Sequence, residues 1–234
     1  MNHLRLLLLC VLVGAAAWLA ANRRIVAADF AVQQRSDCVL ITDGGRPVAT
    51  YVFRDDKILR PYFANVHAPG GIQVTRNHPP VSNVDATDHD TMHPGVWLAF
   101  GDLSGQDFWR NKARIVHLRF VEPPAIRDGQ VAFTAENSLQ AAHGAEVCKQ
   151  TSRLTLAARP AGYLLIWEAI FRPEQREMVF GDQEEMGLGI RVATPIAVKQ
   201  GGTILDALGR RNEREVWGNS ADWCDYSGTI AGRH

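Results

Sequence analysis

The residues best suited to chemistry lie together in one short stretch of the chain. His89 and His93 are four positions apart in the chain, and Asp88 and Asp90 flank the first of them. A neutral imidazole can transfer a proton or ligate a metal near pH 7, and a neighbouring carboxylate fixes its tautomer. The spacing does not match a strong zinc signature such as His-Glu-x-x-His. We therefore expect His89 and His93 to transfer protons without a metal or other cofactor, and a metal site stays open as the alternative.

These histidines are expected to lie on an extended loop that leads into a strand. Pro94 disfavours the α conformation at His93, which argues against a helical turn carrying both imidazoles on one face. The apolar run that follows, residues 96–100, has the length of a strand rather than of a helix. The two imidazoles should therefore lie at the mouth of a strand.

An acidic pair, Glu184 and Glu185, precedes a second alternating segment. With a period of two, Glu184 heads the apolar face of residues 186–192, whereas Glu185 shares the opposite face with Arg191. Two carboxylates in such different surroundings could act as an acid and a base opposite the histidines. The alternative is an acidic turn followed by a strand, with Arg191 in a structural ion pair.

Other side chains could bind a ligand beside these catalytic candidates. Arg76 and His78 fall in a segment of loop composition, and loops on a rigid sheet often carry binding sites. Asp90 and Arg191 complete the polar set expected to contact a ligand.

The tryptophans divide into two groups by their neighbours. Trp97 and Trp167 lie in apolar runs and are expected in the core, whereas Trp109, Trp217 and Trp223 have polar neighbours. An aromatic side chain surrounded by charged groups suits a sugar. The C–H face of the sugar packs on the aromatic ring, and the sugar hydroxyls form hydrogen bonds with the charged groups. We expect Trp109 to be such a binding residue.

The scaffold that must position these residues is predicted to be all β. From Phe30 onward, short runs rich in β-branched and aromatic residues alternate with turn-forming residues, and no segment sustains an amphipathic helix over twelve residues. This pattern predicts an antiparallel sandwich of two sheets. Residues 163–171 are apolar on both faces except for Glu168, which predicts a central strand.

The first 28 residues are expected to be a cleaved signal peptide. Residues 6–21 are apolar, and Val26-Ala27-Ala28 offers the small residues that a signal peptidase recognises. Arg23 and Arg24 interrupt this pattern, so an uncleaved membrane anchor is the alternative. Residues 29–234 are long enough for a single domain with its own core, and no further membrane segment is expected. The sequence shows no stripe of Lys or Arg, which argues against nucleic acid as a partner.

Five motifs give the chain a resemblance to a known bacterial family. They are Val74-Thr75-Arg76-Asn77-His78-Pro79-Pro80, the segment 88–97, Gly101-Asp102 with Asp107-Phe108-Trp109, the segment 184–191, and the segment 221–228. From about residue 29 to its end, the chain resembles proteins labelled "PmoA family" or "methane oxygenase PmoA".

The resemblance implies a fold, a compartment and a chemistry. It implies an exported β-sandwich of the galactose-mutarotase-like supersandwich type, in which histidines and a carboxylate hold a sugar ring in a concave sheet. His89 and His93 would then match the histidine loop, and Glu184 or Glu185 the acidic loop. Similar family members continue beyond the Asp-Tyr-Ser-Gly strand with Trp-His and Arg-Asp-Tyr-Gly segments, so we expect this chain to lack C-terminal strands.

The residues and the resemblance together favour an exported or periplasmic carbohydrate-active protein. Its reaction would be proton transfer of the epimerase, lyase or hydrolase type on a small-molecule or oligosaccharide ligand. A carbohydrate-binding module without catalysis is the first alternative. A metal-dependent oxygenase, as the family label suggests, is the second.

Overall fold

The computed structural model describes residues 28–173 and 177–234. The expected signal peptide lies outside these ranges except for Ala28. The regular secondary structure of the described residues is almost entirely antiparallel strand, which confirms the prediction of an all-β sandwich. None of the described helices is both long and apolar enough to cross a bilayer.

The described residues form strands, one short helix and two 3-10 turns. The strands are β1 (Phe30–Gln34), β2 (Cys38–Asp43), β3 (Arg46–Val52), β4 (Tyr62–Ala64), β5 (His67–Ala68), β6 (Ile72–Gln73), β7 (Val96–Phe100), β8 (Arg114–Arg127), β9 (Gln130–Gln140), β10 (Glu146–Arg159), β11 (Gly162–Arg172), β12 (Met186–Ile190), β13 (Thr203–Asp206) and β14 (Cys224–Ser227). The helix is α1 (Asn212–Val216), and the 3-10 turns are Thr194–Ile196 and Val198–Gln200.

Two large sheets make the sandwich. One has six strands in the order β1-β2-β3-β4-β7-β12, and the other has four in the order β11-β10-β9-β8. Gly44 and Gly45 close the β2–β3 hairpin with φ angles of 54° and 76°, in the left-handed region that glycine adopts without steric cost. Two further sheets have two strands each, β5–β6 and β13–β14.

The main core lies between the two large sheets. Tyr51 of β3 packs against Phe63 of β4 and against Phe133 of β9, with ring centroids 5.0 Å apart in both pairs. Val96, which is paired with Phe63 in the β4–β7 ladder, belongs to the same buried cluster. Because alternate residues of a strand face opposite sides, Trp97 lies on the other face of the six-stranded sheet.

That other face carries a second core, which positions the candidate site. Trp97 and Ala99 of β7 pack there with Tyr62 of β4 and with Phe108 and Trp109 from the loop after β7. β12 closes the sheet beside them, and Gly189 pairs with Trp97. The loops before and after β7 therefore hold aromatic residues against an inner strand of the sheet.

The prediction that residues 163–171 form a central strand was wrong. β11 is an edge strand, and its residues Leu164, Ile166 and Ile170 are 40–52% exposed. One face, with Trp167, contributes to the main core, whereas the other faces outward with Glu168. The pattern of apolar residues gave the strand correctly, but it could not show that no described strand pairs with its outer edge.

Candidate functional site

His89 and His93 belong to one helical turn rather than to an extended loop. The backbone N–H of His93 donates to the carbonyl of His89 over 2.9 Å, and the two rings lie 4.9 Å apart. The expectation of an extended loop was wrong because Pro94 restricts only the residue before it, and His93 closes the turn as its last residue. His89 begins the turn with a φ of 51°, in the left-handed region.

Arg76 stabilises the segment of residues 88–93, here called the histidine turn, through hydrogen bonds to backbone carbonyls. Its side chain is buried, and its Nη atoms donate to the carbonyls of Ala86, Asp88 and His93 over 2.7–2.9 Å. A buried guanidinium needs such acceptors because its charge has left water. Arg76, predicted to bind substrate, therefore positions the turn from within the protein.

His93 is held between two indole rings. Its ring is stacked on Trp97, with centroids 4.8 Å apart and planes 10° apart. The indole Nε1–H of Trp109 donates to Nε2 of His93 over 3.2 Å. Because an indole nitrogen can only donate, Nε2 must be the acceptor and the imidazole proton is assigned to Nδ1.

The surroundings of His93 keep its imidazole neutral. Burial lowers the pKa of His93 to about 4, and the nearby charges of His89, Arg191, Arg60 and Arg76 act in the same direction. At neutral pH the ring is therefore uncharged, with one N–H available to donate.

Arg60 joins the histidine turn to the loop that carries Trp109. Its buried guanidinium donates to the carbonyls of Trp109 and Met92, and it lies 5.7 Å from the centre of the Trp97 ring. Burial lowers the pKa of Arg60 to about 10, so the group remains charged at neutral pH. The buried cation therefore packs against the Trp97 ring.

Arg191 connects the histidine turn to the end of β12. Its Nη2 donates to Oδ1 of Asp88 over 2.6 Å, and Oδ2 of Asp88 lies 3.0 Å from Nδ1 of His89. Burial acts to raise the pKa of Asp88, but the hydrogen bonds from His89 and Arg191 and the charges of Arg191 and Arg76 lower it overall. The alternative expected from the sequence, a structural ion pair made by Arg191, is thus present with Asp88 as its partner.

A cavity of about 820 Å³, here called the His93 cavity, opens beside these residues. His93, Trp97 and Trp109 form one part of its wall, and residues 188–192 and 224–226 form another. The sequence had singled out His93, Trp109 and Arg191 from this lining. Asp225 and Tyr226 were missed as site residues, although the segment 221–228 had drawn attention through its resemblance.

The structure does not bring Glu184 and Glu185 to the histidines. Both precede β12, whose first residue pairs with Phe100 and whose last pairs with Val96. The acids thus lie beside the end of β7 that is remote from His93, about 16 Å away along a five-residue strand. Glu185 forms an ion pair with Arg110, and Glu184 is exposed.

The other predicted residues lie around the cavity rather than in its wall. His78 packs edge-on against Tyr62 with centroids 5.3 Å apart, and burial lowers its pKa. Asp90 is exposed on the histidine turn, and Trp217 and Trp223 are exposed in the connection between β13 and β14. In residues 28–173 and 177–234, no group of three or more His, Cys, Asp or Glu side chains is placed to hold a metal ion.

Fold and cavity together define an all-β sandwich protein with an aromatic pocket on the outer face of its larger sheet. The chain belongs to a family of unknown function (DUF6807), which it matches over residues 38–234. Neither curated proteins nor solved structures gave a match.

Proposed function

We propose that the protein binds a carbohydrate in the His93 cavity. The observation that carries this proposal is the joint presence of an accessible aromatic ring and polar groups in one cavity. Tyr226 is 43% exposed, whereas Trp97 and Trp109 form a buried floor. A sugar ring could pack on Tyr226 while Arg191 and Asp225 bind its hydroxyls.

The state of His93 favours binding over the expected proton transfer. Its Nε2 already accepts a hydrogen bond from Trp109, so the imidazole has no free lone pair with which to remove a proton. Its Nδ1–H can donate to a ligand oxygen instead. The distance of Glu184 and Glu185 from the histidines removes the opposing acid or base that the catalytic hypothesis required.

Catalysis is the second candidate, with a different acidic residue. Asp225 lines the same cavity as His93, so a carboxylate and an imidazole could contact one ligand. Such a pair could act on a sugar if Trp109 released Nε2 when the ligand bound. The epimerase, lyase and hydrolase reactions expected from the sequence all belong to this candidate.

The galactose-mutarotase-like fold that the sequence resemblance implies supports the same proposal. A galactose-mutarotase-like sandwich would hold its sugar on the concave face of a large sheet, and the His93 cavity lies at the outer face of the six-stranded sheet. The apolar residues 6–21 and the small residues at 26–28 support export, which would bring the protein to extracellular or periplasmic glycans.

Calorimetric titration of the full-length protein tests the binding proposal. Glucose, galactose, mannose, xylose and galacturonic acid are titrated one by one. We expect at least one to bind, and Tyr226→Ala to weaken that binding about tenfold, the loss of one good aromatic contact. Trp217→Ala removes an exposed aromatic residue outside the cavity and is the matched control. Binding of none of these sugars, or equal affinity of Tyr226→Ala and the wild type, would refute the proposal.

Proton NMR of the same mixtures separates binding from catalysis. A catalytic protein would convert the bound sugar, and His93→Gln would abolish turnover while leaving the dissociation constant within about threefold. Absence of conversion in the wild type, with measurable affinity, favours the binding function.

A further inference from the structure

A second cavity adjoins the His93 cavity. It has a volume of about 400 Å³ and is here called the Lys199 cavity. Ile190, Arg191, Val192 and Tyr226 line both cavities. The boundary between the two cavities is therefore formed by residues 190–192, at the end of β12 and just after it, and by Tyr226 of β14.

The two cavities differ in chemistry. The His93 cavity is walled largely by indole rings and aliphatic side chains, whereas the Lys199 cavity has Lys199, Gln200 and Glu213 in its wall. These three residues are exposed. Ammonium, amide and carboxylate groups together suit the hydroxyls of a neutral polyol, which both donates and accepts.

The residues shared by the cavities are suited to contact two ligand units at once. Tyr226 presents a ring to both, and Arg191 uses Nη2 for Asp88 and has further N–H groups to donate. Each cavity by itself lies within or near the range of about 300–1,000 Å³ that holds a small ligand. One monosaccharide would leave the second cavity empty.

We infer that the ligand is an oligosaccharide of at least two units, with one unit in the His93 cavity and the next in the Lys199 cavity. This inference rests on the proposed carbohydrate-binding function and adds the length of the ligand to it. The linkage between the units then passes Arg191 and Tyr226. The unit in the Lys199 cavity is held mainly by hydrogen bonds, and the unit in the His93 cavity by ring contacts.

A series of ligands of increasing length tests the inference. Glucose, cellobiose and cellotriose are compared by calorimetry with glucose, maltose and maltotriose, and with the mono-, di- and trimers of xylose, mannose and galacturonic acid. In the series that binds, the dimer should bind about tenfold more tightly than the monomer, as expected of one added hydrogen bond to a charged group.

Variants in the second cavity show where the added affinity arises. Lys199→Ala/Glu213→Ala should abolish the gain from monomer to dimer and leave the dissociation constant of the monomer unchanged. The matched control, Lys57→Ala/Glu177→Ala, removes the same charges from exposed positions outside both cavities and should leave the gain intact.

The outcomes distinguish failure of the inference from failure of the proposed function. Equal affinity of monomer and dimer, or a double variant that weakens both to the same extent, overturns the inference and leaves sugar binding in place. Absence of binding throughout the panel overturns the proposed function, and the inference with it. Binding of dimers alone supports the inference if the double variant abolishes that binding and the control does not.

Discussion

The indole nitrogen of Trp109 donates to Nε2 of His93 over 3.2 Å, and this bond determines what the imidazole can do. A histidine whose Nε2 accepts must keep its proton on Nδ1 while it is neutral. The same ring is stacked on Trp97, so neither its orientation nor its tautomer is free to change without moving an indole.

The first prediction concerns the protonation of His93. Nitrogen-15 NMR should show a neutral imidazole protonated on Nδ1 at pH 7. Trp109→Phe keeps an aromatic ring but removes the donor that stabilises the neutral form, so the pKa of His93 should rise from about 4 toward its ordinary value. Trp217→Phe, at an exposed position, is the control. An Nε2-protonated ring in the wild type would contradict the assignment.

The second prediction is a loss of stability on mild acidification. Burial lowers the pKa of His93 to about 4 and also lowers that of His117, whereas an unfolded histidine titrates near 6.5. Between these values the unfolded chain binds more protons than the folded one, so the free energy of unfolding falls as the pH falls. Below the folded pKa both states are protonated and this contribution no longer changes.

Urea denaturation at about pH 7 and about pH 5 measures this effect within the histidine window. His117→Gln should lose less stability between the two pH values than the wild type does, because glutamine takes up no proton. His143→Gln, at an exposed loop position, is the control and should match the wild type. An identical pH response of His117→Gln and the wild type would show that this imidazole does not contribute to the pH dependence of stability.

The third prediction tests Arg76 as the support of the histidine turn. Arg76→Met keeps much of the side-chain volume but leaves the carbonyls of Ala86, Asp88 and His93 without their donor. We expect a loss of about 3 kcal/mol in the free energy of unfolding, the cost of several unsatisfied buried acceptors. Arg35→Met, at an exposed position, should change it by less than about 0.5 kcal/mol.

The same variant has a local consequence that a general loss of stability would not produce. The NMR signals of the His93 ring should shift in folded Arg76→Met, because the turn that holds it against Trp97 loosens. Unchanged His93 signals together with unchanged stability would exclude a positioning role for Arg76.

The sandwich could be predicted from the sequence because the alternation of apolar and polar residues that marks a strand lies within each short segment. Alternation along residues 39–53 and 115–158 reports that one face of each strand is buried, and the strands form where the pattern places them. The exposed face of β11 shows the limit of this information. A strand can be apolar on both faces and still lie at an edge, since only its neighbours in space decide its position.

The site was predicted in part, for the same physical reason. His93, Trp109 and Arg191 do line one cavity, but the pairing of β7 with β12 decides which residues join them. This antiparallel register brings Arg191 to the histidine turn and carries Glu184 and Glu185 to the other end. Which strand pairs with β7, and in which register, depends on segments far apart in the chain, and the periodicity within either segment cannot reveal it.

The last prediction concerns Gly189, the residue of β12 that lies against Trp97 and Trp109. A Cβ built on Gly189 would lie 2.4 Å from the Trp97 ring and 2.8 Å from the Trp109 ring, closer than real side chains approach. Gly189→Ala should therefore displace the indole rings of Trp97 and Trp109, lower the free energy of unfolding by about 1–3 kcal/mol and alter tryptophan fluorescence. Gly162→Ala, which meets no atom within 4 Å, is the matched control and should preserve both properties. Native fluorescence and full stability in Gly189→Ala would mean that the wall of the His93 cavity can shift without cost, and the stacked geometry of His93 would then not be enforced by packing.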